Sequence, residues 1–173
     1  MKSFERLPGL LARARTSPFW LWVLNLLLGR MIPFNRPHGV RILDLGAERV
    51  RTIADYRRKN HNHIGGVHAC CIATVAEFSS GMLLLSRLDP ARYRLIMAQL
   101  EIDYLYQAKS AIIAESVLSD AVLAAEVLKP LQEQDTLVKE FETLVHDRQG
   151  KLVARARITW QIKPWDKVRT RPA

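Results

Sequence analysis

The sequence predicts an α+β domain in which a curved antiparallel sheet wraps around one long buried helix, with a further helix at the N-terminus. Three observations carry this expectation. The stretch Ile64 to Ser86 holds a single charge, Glu77, and has the length and apolarity of a helix buried on most sides. Several other segments alternate apolar and polar residues with the period of a strand. Helices do not alternate with those strands, which disfavours a parallel βαβ sheet.

The elements follow in order. Ser17 before Pro18 predicts a helix start, since proline suits the first helical position. The segment Pro18 to Phe34 is apolar and preceded by Lys2, Arg6, Arg13 and Arg15. It imitates a signal peptide but lacks an A-x-A-like cleavage site, and its uninterrupted run is short for a membrane span. It is expected to dock on the domain or to lie on a membrane surface. Val40 to Ala47 and Arg49 to Arg57 read as two strands. A polar, glycine-bearing loop follows, then the buried helix at about Val67 to Leu85 and a break at Asp89-Pro90. A transmembrane reading of that helix would put Glu77 near the centre of the span, which is costly.

In the next strand Ile96, Ala98, Leu100, Ile102 and Tyr104 are expected on one face, with Gln99, Glu101 and Asp103 on the other. Ser110 to Leu118 is a shorter strand. Asp120 to Leu131 reads as a helix that stops near Lys129-Pro130. Lys139 to His146 and Leu152 to Ile162 pair through the turn DRQG. The expected division is an extension over 1–35, the main domain over 36–164 and a basic tail over 165–173.

The chain has 173 residues, enough for one domain with a full core. Its net charge of +9 favours an anionic partner. Nucleic acid is not expected, because no binding motif is present and aromatics do not interleave with the basic residues. Cys70 and Cys71 are the only cysteines and are adjacent, so no disulfide framework exists and a cytoplasmic, reducing setting is expected. His61, His63 and His68 with the two cysteines fit no standard zinc spacing, so no metal or cofactor is expected.

The segment NHNHIGGVHACCIATVAEF, residues 60–78, resembles the hotdog-fold acyl-CoA thioesterases of the PaaI-like type. Asn62, Gly65, His68 and Glu77 stand at that group's spacing. The later segments DYLYQAKS and VHDRQGKLVARARITWQI resemble its strand-and-turn and its closing hairpin, and the whole is similar to an uncharacterised branch of the superfamily over residues 36–163. The chain departs from the pattern at Ala69 and Cys70, where glycines are usual, at Glu77, where aspartate is commoner, and at Met97, where some members carry serine or threonine.

The resemblance implies an acyl-CoA thioesterase in which Asn62 and His68 position the thioester and Glu77 drives hydrolysis. The physical reading agrees in kind. A helix start near residues 67–71 offers free N–H groups, and backbone donors at Ala69 or Cys70 can hold an oxyanion. Gly65 and Gly66 allow close approach of the loop. A buried carboxylate has a raised pKa and can act as base or nucleophile. Arg57, Arg58 and Lys59 are expected to meet the phosphates of the nucleotide. The alternative is a module that binds acyl-CoA or an acyl chain without turnover. A homodimer or homotetramer is expected, since one sheet cannot cover so much apolar surface. Residues 17–34 are the candidate for peripheral membrane contact.

Overall fold

The computed structural model describes residues 7–168; residues 1–6 and 169–173, including Lys2, Arg6 and the end of the basic tail, lie outside the described residues. Among the described residues two helices precede the sheet where one was expected. Helix α1 (Leu7–Thr16) is amphipathic, burying Leu7, Leu11 and Ala14 at spacings of four and three. Helix α2 (Pro18–Met31) begins with Pro18 at the predicted place, although the Ser17 side chain makes no capping bond. It buries Leu24 and Leu28 in the same core as the sheet. A short turn of helix, α3 (Asn35–His38), ends at Gly39, whose positive φ of 62° closes it.

The six strands are β1 (Arg41–Leu45), β2 (Arg49–Ala54), β3 (Tyr93–Tyr104), β4 (Ile112–Val117), β5 (Leu137–Asp147) and β6 (Leu152–Pro164). They form one antiparallel sheet in the order β1-β2-β4-β5-β6-β3. The long helix α4 (Ala69–Arg87) lies on one face, packed chiefly against β2, β4 and β5. The expectation of a curved sheet wrapped around that helix is therefore corrected. Strands β1 and β3 stand at opposite edges and do not pair, so the sheet is open. Alternation along a strand says which face is apolar, while closure depends on twist, tilt and stagger between strands, which the pattern does not carry.

Two local expectations are also revised. A bulge between Met97 and Gln99 shifts the register of β3 against β6. Leu95 is opposite the buried Ile162, and Leu100 is opposite the buried Ile158, so both point to the core side, whereas Ile96 pairs with Gln161. Ile96 thus leaves the face it was expected to share with Leu100. The helix after β4 does not stop at Pro130. It runs as α5 (Asp120–Leu123), a π-helical turn (Ala124–Leu128) and α6 (Lys129–Glu133), with Pro130 in the first turn of α6. A wide turn just before proline removes the need for the N–H that proline lacks.

A side-chain amide hydrogen-bonds the N-terminal helices to the sheet. Asn25 of α2 donates from Nδ2 to the Ile42 carbonyl at 2.9 Å, and its Oδ1 accepts from the Ile42 N–H at 2.8 Å. The amide imitates a neighbouring strand at the edge of β1, a device that blunts an exposed edge. Replacing Asn25 by alanine strips both partners from Ile42 and should cost about 2 kcal/mol, the scale for half-buried polar groups left unpaired. Urea denaturation measures this, and an unchanged midpoint would show that water satisfies the edge equally well.

Candidate functional site

The loop before α4 is folded by its asparagines. Asn60 is buried and donates from Nδ2 to the carbonyls of His38, at 3.0 Å, and Asp55, at 2.9 Å. Its Oδ1 lies 3.1 Å from His38 Nδ1, and its carbonyl accepts from His68 N–H at 2.8 Å. Asn62 turns the chain back on itself. Its Oδ1 accepts from the backbone N–H of Ile64 at 3.1 Å and of Gly66 at 2.9 Å. Gly65 adopts φ 76°, a conformation that side chains resist, and its carbonyl accepts from the Tyr56 hydroxyl at 2.5 Å. Asn62 is thus a loop-forming residue whose carbonyl oxygen is committed to backbone.

His68 caps α4. Its Nδ1 accepts from the Cys70 N–H at 3.1 Å, which leaves Nε2 as the protonated nitrogen of a neutral ring. The cap engages one of the two donors expected to hold an oxyanion. Ala69 is exposed, and its carbonyl accepts from the Tyr104 hydroxyl at 3.2 Å.

Two clefts lie along α4. The first, about 250 Å³, is lined by Lys59, His61, His68, Cys70 and Thr74, with Phe34 at its border. The second, about 390 Å³, is lined by Glu77, Gly81, Met82, Leu85, Leu95 and Trp160. Cys70, Thr74, Glu77, Gly81 and Leu85 recur every three or four residues, so they form one stripe on the helix. The cleft at the helix start gathers more of the polar side chains, although both clefts expose more apolar than polar surface.

Glu77 sits in the apolar cleft, where burial pushes its carboxyl up from the ordinary 4.5. Trp160 is held by a bond from its Nε1 to Ser80 Oγ at 2.9 Å. Gly81 packs closely beside it, since a Cβ there would stand 3.1 Å from the ring. Cys71 faces inward, and burial pushes its thiol up to about 11, which makes it a poor nucleophile at neutral pH. Among the described residues no group of three or more His, Cys, Asp or Glu is arranged to hold a metal ion.

The predicted residues are thus only partly gathered. Lys59, His68 and Cys70 share the first cleft, and Glu77 lies in the second. Asn62, Gly65, Arg57 and Arg58 line neither. The Arg57 guanidinium fills the space beside Gly39, and the Gln107 side chain packs on Gly66. Glu77 is eight residues along α4 from Ala69, about 12 Å at the helical rise. Within one protomer it cannot reach a carbonyl held at the helix start. The sequence reading missed Asn60, Gly81 and Trp160 as parts of this region. Asn60 was visible only as one of two asparagines in NHN, and the contact of Trp160 with Gly81 joins residues distant in sequence.

A family described as a domain of unknown function, DUF4442, matches residues 21–162. No curated protein sequence matches the chain. Among solved structures, a Pseudomonas aeruginosa protein of unknown function, described as a probable thioesterase, is 26% identical with a TM-score of 0.75, over 82% of this chain and 94% of that one. A mutant thioesterase of the same organism is 16% identical with a TM-score of 0.64, over 81% and 94% of the two chains. A Haemophilus influenzae thioesterase is 14% identical with a TM-score of 0.65, over 83% and 90%. The fold is accordingly of the thioesterase-like, hotdog superfamily, built here on an open sheet.

The raised carboxyl of Glu77 has a consequence for stability. A carboxylate whose folded pKa exceeds its unfolded value costs no stability below the unfolded pKa. It becomes a growing burden as pH rises through the folded pKa. Glu77→Gln should therefore raise the melting temperature at neutral pH, with the gain shrinking as pH falls to the ordinary carboxylate range. Calorimetric melts across pH test this, and a constant difference between the two proteins would mean that Glu77 is not desolvated.

Proposed function

Since the chain belongs to the DUF4442 family, a domain of unknown function, and carries an amphipathic track along α4, we propose that it is a thioesterase-like module that binds acyl thioesters, acyl-CoA in particular. The track carries the reading. From Cys70 to Leu85 it covers about 22 Å of helix. Its polar end offers Lys59, His61 and His68, while its apolar end offers Met82, Leu85 and Trp160. A ligand with an anionic head and a hydrocarbon tail matches that gradient, with the acyl chain against Trp160 and the phosphates toward Lys59. Arg57 and Arg58 adjoin the polar end in sequence and would extend it. The likeness to proteins described as thioesterases supports the same ligand class, and the spacing of Asn62, His68 and Glu77 resembles the PaaI-like branch. Two free cysteines fit a cytoplasmic setting.

Binding without turnover is favoured over hydrolysis by the state of the helix start. The Cys70 N–H is taken by His68, the Asn62 carbonyl is taken by the loop, and Glu77 is two turns away. Hydrolysis is the second reading, favoured by the raised carboxyl of Glu77 in an apolar cleft.

Titration calorimetry with acyl-CoA should show affinity that grows with chain length. Gly81→Leu should remove that dependence and leave CoA itself bound as before. Equal effects on acyl-CoA and CoA would end the assignment of the acyl chain to this cleft. If wild type turns over acyl-CoA and Glu77→Gln loses about a hundredfold, the scale of general-base loss, the enzyme reading replaces the binding reading.

A homodimer accompanies this proposal. β3 is a 12-residue edge strand, and Leu100, Ile102 and Tyr104 on it are only partly covered. An edge of that length invites pairing with another strand. Light scattering at micromolar concentration should give twice the chain mass. A wild-type monomer would show that the edge is tolerated alone.

A further inference from the structure

Helix α2 is apolar on nearly every side, yet only its inner side meets the core. Phe19 is 62% exposed, Trp22 61% and Leu26 54%. Their spacing of three and four residues puts them on one outer face, and Arg30 continues it. Met31 and Phe34 are exposed at its end. Single exposed apolar residues are ordinary, whereas a continuous row with two large aromatics marks a contact surface.

Charge decides what covers it. Between Leu7 and Leu43 the chain has no aspartate or glutamate, and it has Arg13, Arg15, Arg30, Arg36 and Arg41, of which Arg41 is paired with Asp55. Arg13, Arg30 and Arg36 are exposed, and Arg13 stacks over Trp20 with its guanidinium 4.9 Å from the ring centre. A second copy brought face to face would oppose arginine to arginine with no acidic residue to relieve it. An anionic surface that also accepts aromatic side chains meets both requirements. We propose that the outer face of α2 is a docking surface for an anionic lipid bilayer, with Phe19, Trp22 and Leu26 in the acyl–headgroup boundary and the arginines against lipid phosphates. Phe34, exposed at the end of this face, and Ile32, packed inward two residues before it, also line the two clefts along α4. The docked protein therefore holds its cleft mouths beside the bilayer. The proposal does not depend on the thioester reading, since it concerns α2 alone.

The test is co-sedimentation of the full chain with vesicles of phosphatidylcholine, alone and mixed with phosphatidylserine. The chain should sediment with the mixed vesicles, and less so as salt rises. The triple variant Phe19→Ser, Trp22→Ser, Leu26→Ser should partition at least about tenfold more weakly, because the inserted apolar surface is gone. Arg30→Glu with Arg36→Glu, which leaves the apolar face intact, should lose only the preference for the anionic vesicles. This pair carries the test if the triple variant melts early. Failure to sediment with mixed vesicles, or equal sedimentation of wild type and both variants, would overturn the proposal. So would a triple variant that halves the mass in light scattering while wild type ignores vesicles, because the occupant would then be a second copy.

Discussion

The seating of α4 on the sheet is the constraint from which the rest of the structure follows. It is made by hydroxyls in an otherwise apolar contact. Thr52 on β2 donates to the Val75 carbonyl at 2.8 Å, and Ser79 donates to the Val50 carbonyl at 2.9 Å. Ser116 donates to Ser79 at 3.1 Å and lies 2.7 Å from the Thr143 hydroxyl, which links β4, β5 and the helix. These groups are buried, so each bond is strong and each loss would strand a polar atom. Small residues at Ala76, Ser79 and Ser80 let the helix come close enough for the network to form. The network also fixes rotation about the helix axis. Val75 and Ser79 face β2 and β4; Glu77 and Gly81 are each two residues beyond one of them, about 200° around the helix, and so turn toward the cleft that Trp160 of β6 lines. The stripe and its clefts are set by contacts on the opposite side.

That stripe explains what the sequence disclosed and what it withheld. Glu77 was legible because a lone charge in an apolar run has a high desolvation cost and must have a special environment. Thr74, Gly81 and Leu85 went unread, although each follows from Glu77 by helical spacing. Trp160 does not, because its strand reaches the cleft only through the order of the sheet. The alternating β5 and β6 were readable from their period, and the turn between them from Asp147 and Gly150, whose φ is 82°. Openness of the sheet was not readable, and neither was the bulge in β3, since one inserted residue leaves local composition unchanged while exchanging the faces beyond it. The role of Asn60 was hidden for a related reason. A buried asparagine is recognised by what it bonds, and its partners His38, Asp55 and His68 come from three separate segments.

The site residues carry opposed demands. The loop from Arg57 to His68 is rigid, with Asn60 and Asn62 consuming the polar groups that a flexible loop would offer to a ligand. Rigidity lowers the entropy cost of binding. It also commits groups that hydrolysis would need free. Glu77 is the contrary case, a carboxyl for which the described residues supply no hydrogen-bond donor and which burial drives toward neutrality. A neutral carboxyl can donate a hydrogen bond to a carbonyl oxygen, whereas an ionised one would repel it. In the proposed binding role a shift in that direction favours donation to a thioester carbonyl, and in the second reading it favours a base.

The connection from Ile32 to Asn35 ties these parts together. Asn35 is buried, donates its N–H to the Ile32 carbonyl at 3.1 Å and accepts from Val40 at 3.2 Å, so the chain is held firmly where it crosses from α2 to the sheet. Ile32 and Asn35 line the apolar cleft, and Phe34 lines the polar one. The same short segment thus closes the N-terminal helices against β1 and forms a wall of both clefts. A change in the position of α2 cannot leave the clefts unaltered, because its C-terminal end continues directly into their wall. Asn25, by gripping the edge of β1, holds α2 in register with that wall. The N-terminal helices are therefore part of the architecture of the clefts, and their removal would open the polar and apolar ends of the track together.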